Sequence, residues 1–202
     1  MAGSRKTQEM TLKILEVEAD LLPQYATIPI AFRVESIFQV ELVGQGLGGI
    51  QLREAKVAHY IKDYDALPDG GPLEWPKQFD IRNWGILMAE EAGKYVGGAV
   101  VAFNTNGVNM LEGRSDLAVL WDIRVRPEIR GRGIGKALFH ASADWARPRG
   151  CRQLKVETQN VNVAACRFYA SQGCELGAIH RYGYAARPQV GHEALLLWYL
   201  TL

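Results

Sequence analysis

Leu117-Ala-Val-Leu-Trp-Asp-Ile-Arg-Val125, followed by Arg126-Pro-Glu-Ile-Arg-Gly-Arg-Gly-Ile-Gly-Lys136, reads as a strand, a glycine loop and the start of a helix. Leu117, Val119, Trp121, Ile123 and Val125 alternate like one face of a strand, with Asp122 on the other. Ala118 and Leu120 make its first half apolar on both sides, as an interior strand requires. After the loop, Ile134, Leu138, Ala141 and Trp145 recur at helical intervals, and Pro148 with Gly150 ends the run. Leu154, Val156 and Thr158 then alternate against Lys155, Glu157 and Gln159, which predicts a second strand. The unit is βαβ, so its two strands are expected to be parallel, with the first of them central in the sheet.

The loop Arg130-Gly-Arg-Gly-Ile-Gly-Lys136 carries glycines at alternate positions, Gly131, Gly133 and Gly135. Glycine lets the backbone turn sharply and approach a ligand closely, and the first amides of the following helix lack internal partners. That helix end offers roughly 0.3–1 kcal/mol of favourable field to an anion. Arg130, Arg132 and Lys136 add mobile positive charge, so a pyrophosphate is the expected guest. A nucleotide P-loop is excluded because Gly135-Lys136 is followed by Ala137 and not by Ser or Thr. The dinucleotide fingerprint G-x-G-x-x-G is excluded by the regular spacing of the three glycines.

The pattern that does fit is R-x-x-G-x-G at Arg130, Gly133 and Gly135, preceded by Val125 and Pro127. Downstream come Asn162, Ala165, Phe168, Tyr169 and Gly173 in the arrangement N-x-x-A-x-x-F-Y-x-x-x-G. In these two motifs the chain resembles the GCN5-related N-acetyltransferase (GNAT) superfamily, departing from it at Cys174, where the family usually has Phe. From about residue 28 to the C-terminus it is most similar to streptothricin acetyltransferases. That likeness rests on Tyr60-Ile-Lys-Asp-Tyr-Asp65, Glu157-Thr-Gln-Asn160, Asn162-Val-Ala-Ala-Cys166 and Glu193-Ala-Leu-Leu-Leu-Trp-Tyr199.

The resemblance implies an α/β (α+β) fold: a mixed central sheet of about seven strands, a parallel βαβ cofactor-binding unit and flanking helices. It also implies acetyl-CoA as cosubstrate and direct transfer to a primary amine of a small molecule, such as the β-lysine amine of a streptothricin-type antibiotic. The backbone of Ile123 and Val125 would pair with the pantetheine arm. Arg130, Gly131, Arg132, Gly133, Gly135 and Lys136 would hold the phosphates. Asn162 and Ala165 would touch the arm, and Tyr169 would protonate the departing thiolate. For the acceptor, Asp63, Tyr64, Asp65, Trp84 and Tyr182 are expected to form an acidic, aromatic pocket suited to a cation. A protein or peptide acetyltransferase of the same fold, or a catalytically silent acetyl-CoA-binding module, would present the same cofactor motifs.

Direct transfer to an amine sets a proton problem. A lysine-like amine has a reference pKa of about 10.4, so neutralising it at pH 7 costs about 4.6 kcal/mol. Two carboxylates are placed by sequence to help: Asp122 on the central strand and Glu157 near the end of the neighbouring one. The sequence does not choose between them, and either would act directly, through water or by attracting the cation. His59, His140, His180 and His192 show no ligand spacing, so no metal is expected.

The rest of the chain bounds the problem. Its 202 residues are 48% apolar with a formal net charge of +1, which suits one globular domain, expected from the resemblance to be an N-acetyltransferase domain over 11–202, and argues against general affinity for nucleic acid or an acidic membrane. Residues 1–10 are expected to be a disordered tail. They lack the apolar core of a signal peptide, no run approaches a membrane span, and Cys151, Cys166 and Cys174 suit buried thiols in a reducing cytoplasm. The family resemblance makes a homodimer an expectation. Strands are read at Leu12–Val17, Ile30–Val34 and Ile37–Val40, and a partly helical segment at Leu52–Ile61. A surface loop covers Asp63–Pro76. A hairpin joins Trp84–Ala89 to Lys94–Phe103, with a bulge at Gly97-Gly98, and the last two antiparallel strands fall at Glu175–Tyr184 and Glu193–Leu200.

Overall fold

The central strand is where the sequence places it. In a computed structural model describing residues 11–67 and 70–202, the strands are β1 (Lys13–Val17), β2 (Phe32–Leu42), β3 (Ile50–Lys62), β4 (Gly85–Glu91), β5 (Lys94–Ala102), β6 (Leu117–Val125), β7 (Gln153–Gln159), β8 (Glu175–His180) and β9 (Leu195–Thr201). The helices are α1 (Leu22–Ala26), α2 (Trp75–Gln78), α3 (Ile134–Ala146) and α4 (Val163–Ser171). Seven strands form one sheet in the order β1-β4-β5-β6-β7-β9-β8, with β6 in the middle. Its β6–β7 pair is parallel and every other neighbouring pair is antiparallel. The tail expected at 1–10 lies outside the described residues. Among those described, no helix is long and apolar enough to cross a membrane.

Each face of the sheet buries its own core. On one, Leu138, Phe139, Ala143 and Trp145 of α3 and Cys166 and Tyr169 of α4 pack on Ala118, Leu120, Leu154 and Val156. On the other, Tyr25 of α1 and Trp75 of α2 pack with Trp84, Met88, Val100 and Val119. The three cysteines are buried and unpaired, and Cys174 joins the α3–α4 core.

A bulge in β6 overturns the simple alternation read from its sequence. Val100 pairs with Asp122 but Val101 pairs with Leu120, so Trp121 has no partner across the ladder. One extra residue reverses the facing of everything beyond it. Val119 and Trp121 therefore pack in the Tyr25 core, whereas Ile123 and Val125 pack against the α3 side. Asp122 shares its side of the sheet with Tyr25, to whose hydroxyl it is bonded.

Two further expectations are corrected. Leu52–Ile61 is strand, paired residue for residue with β2 from Ile50 to Lys56. Its apolar spacing reads as helical, but cross-strand bonds from Arg53 to Glu41 and from Ser36 to Glu54 favour the hairpin. In the β4–β5 hairpin the extra residue is Val96, one before the expected glycines. Gly98 serves packing instead: a Cβ there would lie 2.5 Å from the Tyr25 ring.

The β2–β3 hairpin is a separate two-stranded arm, and two contacts clamp it to the large sheet. Phe38 N–H donates to the Asn160 carbonyl at 2.9 Å and Asn160 Nδ2 returns a bond to the Phe38 carbonyl at 2.8 Å. At its other end Lys62 meets Glu193 at 2.5 Å, with both side chains buried.

Candidate active site

The parallel strands separate before they end. The β6–β7 pairing stops at Leu120 and Val156, yet β6 continues to Val125 and β7 to Gln159. A gap therefore opens at their carboxyl ends, the position where open α/β sheets hold ligands. Arg126 N–H bonds the Val96 carbonyl on the β5 side. By strand alternation the amides and carbonyls of Ile123 and Val125 face the gap.

At the foot of the gap the glycine loop exposes its backbone. Gly131 and Gly133 have φ of +82° and +85°, a conformation that costs other residues about 1–2 kcal/mol. Among the described residues, no acceptor meets the amides from Gly131 to Lys136. Lys136 stands exposed without a partner in the first turn of α3, where the helix dipole disfavours a cation unless an anion lies beside it. Free amides, open space beside Gly131 and Gly133 and an unpaired lysine together fit a pyrophosphate.

α4 starts beside the same gap. Asn162 caps it, its Oδ1 accepting from the Ala165 amide at 3.1 Å. The motif spacing between Asn162 and Tyr169 places Tyr169 on the buried face of this helix, its ring against Phe139 and Phe168. Among the described residues nothing bonds the Tyr169 hydroxyl, and the side chain is buried. Burial first, and then the negative charge of Asp122, raise its pKa, so it is a protonated donor awaiting an acceptor.

Glu157 lies on β7 beyond the point of separation. Tyr184 donates to its Oε1 at 2.5 Å, and among the described residues nothing donates to Oε2. Burial raises this carboxyl above its ordinary range, opposed by the Tyr184 bond and by the positive charges of Arg187 and Lys155. A partly buried carboxyl whose pKa is raised holds a proton more readily than an ordinary carboxylate.

Asp122 is differently placed. Arg124, whose side chain is 0% exposed, holds it with bonds of 2.8 and 2.7 Å and holds Asp65 with bonds of 2.9 and 3.2 Å. Arg124 also donates to the Ile28 carbonyl at 3.0 Å. Burial alone would depress this guanidinium, and the bonds to Asp122 more than offset it. With Tyr25 as a further donor, both oxygens of Asp122 are engaged at the bulge, unlike those of Glu157. A GNAT-type motif does not contain Arg124, Tyr25 or Tyr184, and sequence reading missed all three.

The family model of the acetyltransferase (GNAT) family matches residues 51–174. The chain belongs to the acetyltransferase (GNAT) family. A streptothricin acetyltransferase of Escherichia coli is 31% identical to it over 169 residues, 83% of this chain and 84% of that protein. One from Streptomyces lavendulae is 28% identical, covering 83% of each. A Bacillus anthracis protein assigned as a streptothricin acetyltransferase, solved in complex with acetyl coenzyme A, superposes with a TM-score of 0.74 at 26% identity. That match covers 95% of this chain and 100% of the other.

Within this GNAT frame the expected site residues divide. Ile123, Val125, Gly131, Gly133, Gly135, Lys136, Asn162 and Ala165 surround the gap and loop. Arg130 is a correction: its guanidinium is not mobile but bonded to the carbonyls of Val125, Ala31 and Pro29 at 2.9, 3.0 and 3.2 Å. It latches the loop to the segment before β2 and occupies the Val125 carbonyl. Arg132 pairs with Glu91 at 2.9 Å while staying half exposed.

On the acceptor side Tyr64 is at the site, bonded to Gln159 and Asn162. Asp63 accepts from the Asp65 amide at 3.1 Å and shapes the local turn. Three others are corrections. Asp65 is committed to Arg124. Trp84 is buried among Trp75, Phe79 and Trp121 with its Nε1 on Thr105. Tyr182 lies beyond the end of β8 and is 68% exposed, and the tyrosine that reaches Glu157 is Tyr184, two residues later.

Proposed function

We propose that this protein transfers the acetyl group of acetyl-CoA to a primary amine of a small cationic molecule of the streptothricin class. The cosubstrate supplies an acetyl thioester, and the chain supplies position and proton control. The free amides from Gly131 to Lys136, with the Lys136 ammonium, bind the phosphates. The gap-facing amides of Ile123 and Val125 receive the pantetheine arm as an added strand. Glu157 Oε2 takes the proton released by the ammonium of the acceptor, and the Tyr169 hydroxyl gives one to the thiolate as it leaves. Asp63, Tyr64 and the carboxylate of Glu157 make the acceptor side attractive to a cation.

The observation that carries this reading is that, among the described residues, nothing accepts from the Tyr169 hydroxyl and nothing donates to Glu157 Oε2, while burial raises the pKa of both groups. Tyr64 is near enough to both that the charge of Glu157 acts on it and its own charge acts on Tyr169. The streptothricin acetyltransferase relatives and the acetyl-CoA complex of the B. anthracis protein support the substrate and cosubstrate classes.

The test is acetyl-CoA-dependent thiol release with streptothricin, a short lysine-bearing peptide and a simple polyamine in parallel, with the mass of each product. Saturable release with streptothricin and a gain of one acetyl group is the expected result. Release with the peptide alone moves the acceptor to a protein amine. Binding of acetyl-CoA without release to any of the three would leave a silent cofactor-binding module.

A further inference from the structure

A continuous chain of hydrogen bonds joins the start of α4 to Glu157. Asn162 Nδ2 donates to the Tyr64 hydroxyl at 3.4 Å, and Tyr64 donates to Gln159 Oε1. Gln159 Nε2 donates to the Tyr184 hydroxyl at 2.8 Å, and Tyr184 donates to Glu157 Oε1 at 2.5 Å.

The direction of this chain is fixed from both ends. A backbone amide only donates, so Asn162 turns Oδ1 to the Ala165 N–H and its NH2 group to Tyr64. An ionised carboxylate only accepts, so the one proton of Tyr184 goes to Glu157 and its oxygen must accept from Gln159. Both amide orientations follow, and every donor points towards Glu157. Bonds aligned in this way polarise one another, by about 10–30% per bond. The amide of Gln159 interrupts any passage of protons, so the chain acts on the position and ionisation of the carboxylate and does not carry protons away.

We propose that Tyr184 is a positioning residue for the general base, and that Gln159, Tyr64 and Asn162 back it as a polarised chain that keeps Glu157 ionised with Oε2 turned to the acceptor amine. This rests on the reading of Glu157 as base. It assigns a role to a tyrosine outside the family motifs, and it links the base to the N-cap of the helix that carries Tyr169. Burial opposes ionisation of Glu157, whereas Tyr184, Arg187 and Lys155 favour it. The other titratable groups facing this chain are Cys166, Tyr169 and the Lys62–Glu193 pair, each close to Tyr64. With the strongest donor removed, burial acts with less opposition and the carboxyl takes up its proton at higher pH.

The experiment compares wild type, Tyr184→Phe and Tyr64→Phe by two readouts. One is the pH profile of kcat/KM for acetyl transfer. The other is the titration of the Glu157 side-chain carboxyl carbon by 13C NMR without cosubstrate, assigned with Glu157→Gln. Tyr184→Phe is expected to move both the acid limb and the carbon titration up by about one to two pH units. Tyr64→Phe, one link further away, is expected to move both by a few tenths of a unit in the same sense. A rate lowered equally at every pH, with an unmoved carbon titration, overturns the proposal and leaves Tyr184 a packing residue. If Tyr184→Phe does not fold, Tyr64→Phe decides by the same two readouts. A moved titration combined with a fully active Glu157→Gln upholds the chain but overturns Glu157 as base. An unmoved titration overturns the chain whichever group is the base.

Discussion

Arg124 Nε and Nη2 hold the two oxygens of Asp122 at 2.8 and 2.7 Å, immediately past the bulge that turns both side chains into the Tyr25 core. This contact divides the two carboxylates that the sequence left equivalent. Asp122 is paired with a cation, whereas Glu157 has hydroxyl support on one oxygen and, among the described residues, no donor on the other.

Arg124→Met is therefore expected to destabilise the fold by about 3–5 kcal/mol, because it strands Asp122 and Asp65 without their cation. Asp122→Asn is expected to lower the melting temperature while leaving kcat within a few-fold of wild type. Calorimetry and steady-state kinetics check the pair. A thousand-fold fall in kcat for a folded Asp122→Asn protein would return that residue to the chemistry.

Glu157→Gln should lower kcat/KM at pH 7 by about 10²–10⁴-fold, the usual contribution of a general base. Activity needs the ionised form and burial raises its pKa, so the acid limb of wild type should lie above the ordinary carboxylate value of about 4.3. Stability runs the other way. The folded state binds this proton more tightly than the unfolded chain, so the ionised carboxylate costs stability as pH rises from the unfolded pKa through the folded one. Glu157→Gln is consequently expected to melt at the same or a higher temperature than wild type at pH 7, with that advantage fading on acidification below the unfolded pKa. Melting temperatures from pH 4 to 8 test the sign.

For Tyr169→Phe the expected loss is about 10²-fold in kcat, with acetyl-CoA affinity unchanged. Among the described residues its hydroxyl has no partner, so stability should hold within about 0.5 kcal/mol, in contrast to the loss expected when a hydrogen-bonded buried hydroxyl is removed. Single-turnover thiol release, isothermal titration with acetyl-CoA and a thermal melt report the three quantities separately.

Arg130 and Lys136 flank the same loop and should respond differently in stability and salt dependence. Lys136→Ala removes an exposed cation from the first turn of α3, so it is expected to weaken acetyl-CoA several-fold at low salt, less at high salt, without loss of stability. Arg130→Ala removes three bonds to backbone carbonyls, so its main effect should be a lower melting temperature and looser cosubstrate binding that salt does not restore. Titrations at two ionic strengths distinguish them.

Local pattern made much of this legible. The βαβ unit, the glycine loop and the Asn162-to-Tyr169 helix depend on spacings of a few residues, which helical and strand periodicity express directly. The β2–β3 arm did not show itself, because Leu52 to Ile61 has an apolar spacing that a helix also satisfies and only its partner strand settles the choice. The bulge at Trp121 was invisible for a related reason: an extra residue exists only relative to the register of β5.

By itself the sequence determined the glycine loop before α3, the N-cap of α4 and the place of Tyr169 on that helix, since each is built from neighbours along the chain. Tertiary structure alone decided which carboxylate is free. Arg124 meets Asp65 across 59 residues, Tyr184 meets Glu157 across 27 and Lys62 meets Glu193 across 131. A charge on a strand looks the same in sequence whether or not a distant side chain neutralises it. Burial and pairing set its pKa, and both are made only when the strands come together.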